Sequence, residues 1–322
     1  MSELKVGLIG GSGLGEVIAG DGAGVRHEVE TPFGRPSDVI LETQLEGVTV
    51  FVLPRHGPGH LLNPSRIPFR ANVFALKQLG CTHVIASGAV GSLREEMRPR
   101  DLVVPDQIID KTTRREGTFF DGAAVHAEFA EPFCPVLRQI LLEAGKVEAV
   151  EAAGGGEGNG TFEVHERGCY VCMEGPAFST RAESLMHRLW GGDLIGMTAM
   201  PEAKLAREAE MSYALIALVT DYDCWRQKPA SVGVAEGSGA PVPPGKFELL
   251  QEIIGHLKAA SHNAMRVIRR AVRVLGERRG TLPASPAHSA LELAIWSDKG
   301  RIPANEVQRL GPLWIKYFED KR

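Results

Sequence analysis

The sequence predicts an α/β fold: a central mixed, largely parallel, twisted sheet flanked by helices, followed by a helical appendage at the C-terminus. Short apolar runs alternate with amphipathic segments over most of the 322 residues. Several of these runs stop at glycine-rich or polar turns, which is typical of strands that connect to helices. A long amphipathic segment follows, and a linker-like stretch then separates a main domain, residues 1–280, from an extension, residues 281–322.

The expected strands are runs of apolar, largely β-branched residues bounded by turn residues. In chain order they are Leu4–Ile9, Val48–Leu53, His83–Ser87, Leu102–Pro105, Gly168–Met173, Leu194–Thr198 and Tyr213–Thr220. The expected helices show apolar side chains at helical spacing, and they begin near a proline or end near a glycine. These helices are Ala71–Leu79, Val136–Ala144, Arg181–Trp190 and Pro201–Glu210.

The segment Phe247–Arg279 carries apolar residues close to helical spacing, so it predicts one long or broken helix on the edge of the sheet. Thr281–Ala287 has the composition of a linker. In the extension beyond it, Ala290–Trp296 and Glu306–Phe318 are expected as helices that cover a neighbouring subunit.

Composition bounds the class of protein. A hydrophobic content of 43% supports a substantial core, and a net charge of −4 with scattered Lys and Arg argues against a nucleic-acid partner. The N-terminus runs straight into a strand without a signal peptide, and no apolar run approaches the roughly 20 residues of a membrane span. The sequence therefore predicts a cytoplasmic protein with no membrane partner.

Five cysteines, an odd number, indicate a reducing compartment. Cys169 and Cys172 lie in an extended apolar run, where residues three apart face opposite sides of a sheet. We therefore expect neither a metal site nor a redox pair there.

Three expected strand ends suit an anion. Gly10–Leu14 and Ala86–Ser92 bring small residues whose backbone N–H groups can approach a ligand, and Pro54–His60 adds an arginine beside a histidine on a glycine turn. The first of these is not a dinucleotide fingerprint, because Glu16 stands where the third glycine would be. In open α/β sheets such strand ends converge on one crevice.

A fourth strand end carries two carboxylates, Asp221 and Asp223, directly after a long apolar run. Residues two apart on a strand point to one face, so both acids are expected to reach the same crevice. Such a pair suits a ligand rich in N–H donors, and one acid can raise the proton affinity of the other. The pattern leaves open a solvated acidic turn.

Several motifs in register resemble the trimeric type of purine nucleoside phosphorylase, and within that family the members acting on 5'-methylthioadenosine. The matching residues are Ile9-Gly-Gly-Ser-Gly-Leu14, Thr31–Asp38, Arg55-His-Gly-x-x-His60, Gly80–Ile85, Glu131–Pro135, Glu174–Ser184, Met197-Thr198 with Pro201-Glu202, and Thr220–Trp225.

The resemblance implies reversible phosphorolysis: inorganic phosphate, a co-substrate, attacks the anomeric carbon and releases a free purine and a pentose 1-phosphate, in purine and methionine salvage. It implies a homotrimer without metal or organic cofactor. The phosphate site it implies consists of Ser12, Arg55, His56, Gly88, Ala89 and Thr198. Gly88 stands where adenosine-type relatives usually carry a threonine, so it offers at most a backbone N–H.

For the nucleoside, the resemblance implies a site formed by Phe178, Met197, Asp221, Asp223, His126 and Val234. Met197 would pack under the ribose and Phe178 would stack on the base, although both are residue types that also fill cores. His126 would reach across a subunit boundary toward the 5' substituent, and Val234 would line the methylthio pocket.

Asp221 carries the chemistry in this interpretation, because it would hydrogen-bond or protonate N7 of the departing purine. Relatives that use 6-oxopurines carry asparagine there, so aspartate favours adenine. Two alternatives remain: a phosphorylase for 6-oxopurine nucleosides or methylthioinosine, and a non-catalytic purine-binding protein.

Overall fold

The computed structural model describes residues 4–11, 24–154, 161–226, 233–234, 241–242 and 246–318. Within these ranges, eleven strands form one mixed sheet and two more form a small hairpin. The strands are β1 (Lys5–Gly10), β2 (Val25–His27), β3 (Ile40–Leu45), β4 (Val48–Pro54), β5 (His83–Ser92), β6 (Leu102–Val103), β7 (Gln107–Lys111), β8 (Val164–His165), β9 (Cys169–Met173), β10 (Leu194–Gly196), β11 (Ser212–Tyr222), β12 (Gly233–Val234) and β13 (Pro241–Val242).

The sheet runs in the order β2-β3-β4-β1-β5-β10-β9-β7, and β11 branches from β5 toward β6 and β8. Its centre is parallel, because β1 pairs in parallel with β4 and β5, and β5 pairs in parallel with β11. The C-terminal ends of these four strands therefore lie along one edge. Antiparallel pairs, such as β10 with β5 and β3 with β4, make the sheet mixed, as the sequence predicts.

Helices cover both faces of the sheet. They are α1 (Phe69–Gln78), α2 (Pro135–Ala153), α3 (Arg181–Leu189), α4 (Glu202–Glu208), α5 (Lys246–Arg278), α6 (Ala304–Arg309) and α7 (Gly311–Trp314). The long amphipathic segment forms one helix, α5, whose buried side chains share a core cluster with α2 and with one face of the central strands. Side chains of α1 and α4 join the core cluster on the opposite face. No helix among the described residues is both long and apolar enough to cross a bilayer.

The expected strands and helices of the first 280 residues are present, most with small shifts in their ends. Two elements run further than expected: β5 extends five residues further, to Ser92, and α2 continues past Ala144 to Ala153. Gly145 does not end this helix, because it lies inside it, close against the Val164 side chain. The extension differs. Residues 304–309 and 311–314 are helical, but the expectation of a helix over 290–296 is wrong, because this segment forms turns and an isolated bridge. Tertiary contacts override its helical composition: the Leu291 amide donates to the Glu210 carboxylate, and Ile295 pairs with Val125.

The extension packs on the chain's own core. Leu291, Leu310, Leu313 and Trp314 belong to the core cluster that contains α1 and α4. The buried Glu210 carboxylate holds this segment in place, because it accepts the Tyr317 hydroxyl and forms an ion pair with Lys316 at 2.5 Å. Residues 281–318 thus contribute to the core of the chain itself.

We expect Trp314→Ala to lower the free energy of unfolding by about 3–5 kcal/mol, because it empties a fully buried site. The ring packs against Phe120 at a centroid distance of 4.8 Å, and its Nε1 donates to the Val307 carbonyl. Denaturant titration measures the change. Trp296→Ala is the control, since this side chain is 72% exposed and should cost less than about 1 kcal/mol. Equal losses in the two variants would contradict the packing described.

We expect Glu208→Gln to stabilise the protein at pH 8 but not at pH 5. Burial raises the pKa of Glu208 from 4.5 to about 7, although the Phe119 amide donates to it at 2.8 Å. Below pH 4.5 the Glu208 carboxyl is protonated in both the folded and the unfolded protein. Between pH 4.5 and 7 this carboxyl is ionised in the unfolded protein but still protonated in the folded one. Stability is therefore lost over that interval, by roughly 3 kcal/mol in total.

Melting temperatures at the two pH values test this expectation. Exposed Glu96 supplies the matched control, Glu96→Gln. A Glu208→Gln variant with the same melting difference from wild type at pH 5 and at pH 8 would show that this carboxyl is not held protonated.

Candidate active site

The predicted strand ends meet at the parallel edge of the sheet. Gly11, just beyond β1, lies against both neighbouring strand ends: a Cβ added there would be 3.3 Å from Arg55 Nη1 and 3.3 Å from the Ser87 carbonyl oxygen. A Cβ added at Gly88 would be 3.3 Å from Thr198 Oγ1. Four segments far apart in sequence thus approach closely, and two glycines permit the approach.

Arg55 is fully buried at the end of β4. Its Nε and Nη2 donate to the two carboxylate oxygens of Glu202 at 2.8 and 3.0 Å, and its Nη1 donates to the Ser87 carbonyl at 2.8 Å. Both side chains are fully buried, and Tyr213 Oη donates to Glu202 at 2.9 Å. Burial would lower the pKa of Arg55, but Glu202 more than offsets this. Three of its five N–H groups are used, so one remains on each terminal nitrogen.

His56 is buried beside Arg55 and is held by the backbone. Its Nδ1 lies 2.7 Å from the Leu62 carbonyl, and its ring stacks on His60 at 4.0 Å. A carbonyl can only accept, so Nδ1 carries a hydrogen. Burial, with the nearby charge of Arg55, lowers the pKa of His56 to about 4 despite the Leu62 hydrogen bond. The ring is therefore neutral near pH 7, and Nε2 is an acceptor.

Gly88, Ala89 and Thr198 complete the polar strand ends. Gly88 is buried and Ala89 is exposed on β5, while Thr198 is buried beyond the end of β10. The Thr198 amide donates to Tyr170 Oη at 3.4 Å, which anchors its backbone to β9. Its hydroxyl faces the space above Gly88.

The acidic strand end contains a β-bulge. The register of β11 on β5 shifts between Val219 and Asp221, so Thr220 is the extra residue. The Thr220 hydroxyl donates to Asp221 at 2.7 Å. Asp221 is half-buried, whereas Asp223 is buried just past the strand, and its Oδ2 has no hydrogen-bond partner among the described residues. The two carboxylates therefore have different surroundings.

Phe178 and Met197 lie beside these ends. Phe178 is 84% exposed, which rules out the core-packing alternative for this side chain. Its loop is tied to the acidic end, since Cys224 Sγ donates to the Ser179 carbonyl at 3.3 Å. Met197 Sδ lies against Gly175, where an added Cβ would be only 2.6 Å away.

Two expected site residues have side chains that the structure does not describe, and a third lies at the extension. Ser12 lies outside the described residues, and Val234 lies in β12 with its side chain outside them. His126 is exposed and contacts the extension. Its backbone amide donates to the Ala294 carbonyl at 2.9 Å, and its ring centroid lies 4.6 Å from that of the Trp296 indole. Within one chain, the extension thus holds the segment around His126 in place.

Sequence reasoning missed Glu202, Tyr213 and Arg115. Glu202 belongs to a quoted motif, Pro201-Glu202, yet an acid at a helix start gave no sign that it would pair with Arg55, 147 residues away. Arg115, on the loop after β7, donates to backbone carbonyls on both sides of the site. Carbonyl acceptors leave no trace in a sequence.

In the part of the chain that the structure describes, one group of side chains has the proximity of metal ligands: Asp101, Glu163 and His165. Its atoms already bond one another and Arg98, whose Nη2 lies 2.6 Å from Glu163 Oε1. A cation there would displace a guanidinium that neutralises the same carboxylates, so the donor set fits an ion-pair network better.

Comparison with known proteins agrees with this arrangement. The family model of the phosphorylase superfamily matches residues 5–273. A curated S-methyl-5'-thioadenosine phosphorylase from Gloeobacter violaceus is 44% identical, over 98% of this chain and 96% of the relative.

Two solved structures are also similar. A methylthioadenosine phosphorylase from an antarctic soil metagenomic library superposes with a TM-score of 0.80 at 41% identity, covering 97% of this chain and 99% of that one. A variant of the Schistosoma mansoni adenosine/methylthioadenosine phosphorylase in complex with methylthioadenosine superposes with a TM-score of 0.74 at 35% identity, covering 91% of this chain and 99% of that one. The chain therefore belongs to the phosphorylase superfamily and, within it, to the S-methyl-5'-thioadenosine phosphorylases.

Proposed function

We propose that this protein catalyses the phosphorolysis of 5'-methylthioadenosine to adenine and 5-methylthioribose 1-phosphate. The observation that carries the proposal is the meeting of guanidinium, hydroxyl and backbone N–H donors with a carboxylate-bearing strand end at one sheet edge, in a chain 44% identical to a curated S-methyl-5'-thioadenosine phosphorylase. Phosphate is the co-substrate, and no metal or organic cofactor takes part. The reaction would serve methionine and purine salvage in the cytoplasm.

In the phosphate half of the site, side-chain and backbone donors would hold the anion. The free N–H groups of Arg55, the Thr198 hydroxyl and the backbone at Gly88 and Ala89 supply donors, and Ser12 would add a hydroxyl. His56 acts differently, because its neutral ring presents Nε2 as an acceptor. It would therefore bind the protonated oxygen of monohydrogen phosphate and leave an unprotonated oxygen to attack.

The base half rests on Asp221. As the glycosidic bond breaks, negative charge develops on the purine, and a proton at N7 lets it leave as a neutral base. Asp223, buried with one oxygen atom unbonded among the described residues, would accept from the exocyclic amine of adenine. Phe178, exposed on the loop tied to this strand end, would stack on the purine, and Met197 would pack under the ribose.

At the 5' end of the substrate, a second subunit would complete the site. His126 is exposed and held by the extension of its own chain rather than by the strand ends. In a homotrimer it would reach the neighbouring site, where Val234 would line the methylthio pocket. A phosphorylase for 6-oxopurine nucleosides or methylthioinosine is the second candidate. Asp221 disfavours it, but Gly88, which lacks the threonine hydroxyl of adenosine-type relatives, is compatible with it.

A substrate panel tests the proposal: 5'-methylthioadenosine, adenosine, methylthioinosine and inosine, each with and without phosphate, followed by identification of the released base. We expect phosphate-dependent adenine, released fastest from the methylthio substrate. Hypoxanthine alone would mean that the base pocket binds 6-oxopurines, and no turnover would indicate a purine-binding protein.

A further inference from the structure

Arg115 makes an unusually complete set of hydrogen bonds beside the site. Its Nη1 donates to the carbonyls of Met197 and Met200, each at 2.6 Å. Its Nη2 donates to the carbonyls of Met173 and Glu174 at 3.4 and 2.5 Å, and its Nε donates to the Glu174 carboxylate at 3.2 Å. All five N–H groups of the guanidinium are thereby used, so it has none left for a ligand.

These acceptors belong to two separate walls of the site. Met173 is the last residue of β9, and Glu174 begins the loop that carries Phe178, while Met197 and Met200 lie on either side of Thr198 beyond β10. The two walls meet where Met197 Sδ packs against Gly175. The Arg115 side chain therefore fixes the distance between two walls. One carries Phe178, which would stack on the base, and the other carries Met197, which would support the ribose.

The local sequence fits Arg115 for this role. Its side chain is 2% exposed, and the Glu174 carboxylate neutralises it within the protein. The same carboxylate accepts the amides of Thr113 and Arg114, which closes the loop onto β9. Burial would raise the pKa of Glu174, but these amides and Arg115 hold it below its usual value. A lysine could not replace the planar fork, because it presents one nitrogen instead of three.

We propose that Arg115 is a positioning residue for the nucleoside half of the site. The proposal rests on the function proposed above and extends it to a residue that touches neither substrate. The phosphate half has its own support, since Arg55 is held by Glu202 and the Thr198 backbone by Tyr170. Loss of the Arg115 guanidinium should therefore weaken nucleoside binding and slow turnover, while phosphate binding should change little.

The test compares Arg115→Lys with Arg114→Lys, which makes the same substitution at the exposed neighbouring residue. For Arg115→Lys we expect the KM for 5'-methylthioadenosine to rise about tenfold and kcat to fall about tenfold, because small misplacements near the reacting groups have effects of this order. The KM for phosphate should stay within about threefold. Arg114→Lys should match wild type in all three constants.

Two further measurements make the result decisive. Melting temperature and binding of adenine by calorimetry are measured on both variants, and we expect weaker adenine binding by Arg115→Lys at a melting temperature that still leaves it folded under assay. Unchanged constants, or equal rises in the KM for nucleoside and for phosphate, would overturn the proposal. If Arg115→Lys does not fold, Arg115→Gln replaces it with the same expected split. Failure of the proposed function is separate, because it would appear as absent turnover in wild type.

Discussion

Asp221→Asn should lower kcat/KM for 5'-methylthioadenosine by about 10²–10⁴-fold, the range typical of losing a general acid. An amide is not acidic enough to protonate N7, and its N–H₂ group would face the N–H donors of adenine. The same amide can donate to a carbonyl, so the relative rate on inosine and methylthioinosine should rise. Steady-state kinetics on both substrate classes measure the change.

Asp298→Asn is the control for this substitution, because Asp298 is an exposed carboxylate of the extension. We expect it to behave as wild type on every substrate. Retention of full adenine release by Asp221→Asn would mean that the proton comes from another group, and Asp223 would be the next candidate.

Arg55→Ala should raise the KM for phosphate at least tenfold, by the loss of charge-assisted donors, and more than it raises the KM for the nucleoside. It should also lower the free energy of unfolding by about 3–5 kcal/mol, because Glu202 would remain buried without its partner. Kinetics and denaturant titration report the two effects separately.

The double variant Arg55→Ala, Glu202→Gln separates the loss of phosphate donors from the loss of stability. Removing the unpaired charge should restore part of the stability, while the KM for phosphate should stay high because the donors are still missing. If the double variant regained phosphate affinity, the effect of Arg55 would be one of folding alone. If the nucleoside KM rose more than the phosphate KM, the anion would bind elsewhere.

The meeting of the strand ends could be predicted because it follows from topology. Parallel strands that alternate with helices end on one edge, so motifs at the ends of β1, β4, β5 and β11 had to converge. Their apolar runs, buried on both faces, are also the clearest patterns in the sequence. The fold and the edge of the sheet that carries the candidate site therefore follow from the sequence pattern.

The parts that could not be predicted depend on long-range pairing. The segment 290–296 has a helical composition, yet Glu210 and Val125 bind its backbone and hold it in turns. Glu202 is an unremarkable acid at a helix start until the fold places Arg55 against it. Arg115 bonds mostly to carbonyls, which every residue carries. The bulge at Thr220, which separates the surroundings of Asp221 and Asp223, is likewise a property of strand pairing.

The central claim is that inorganic phosphate attacks the sugar of 5'-methylthioadenosine. Phosphorus NMR of the enzyme with this nucleoside and phosphate tests it most directly, with adenine quantified in the same sample. We expect a sugar 1-phosphate resonance, coupled to the anomeric proton, that grows in step with adenine. Adenine release with an unchanged phosphate signal would mean that water is the nucleophile, and it would contradict the role given to Arg55, His56 and Thr198.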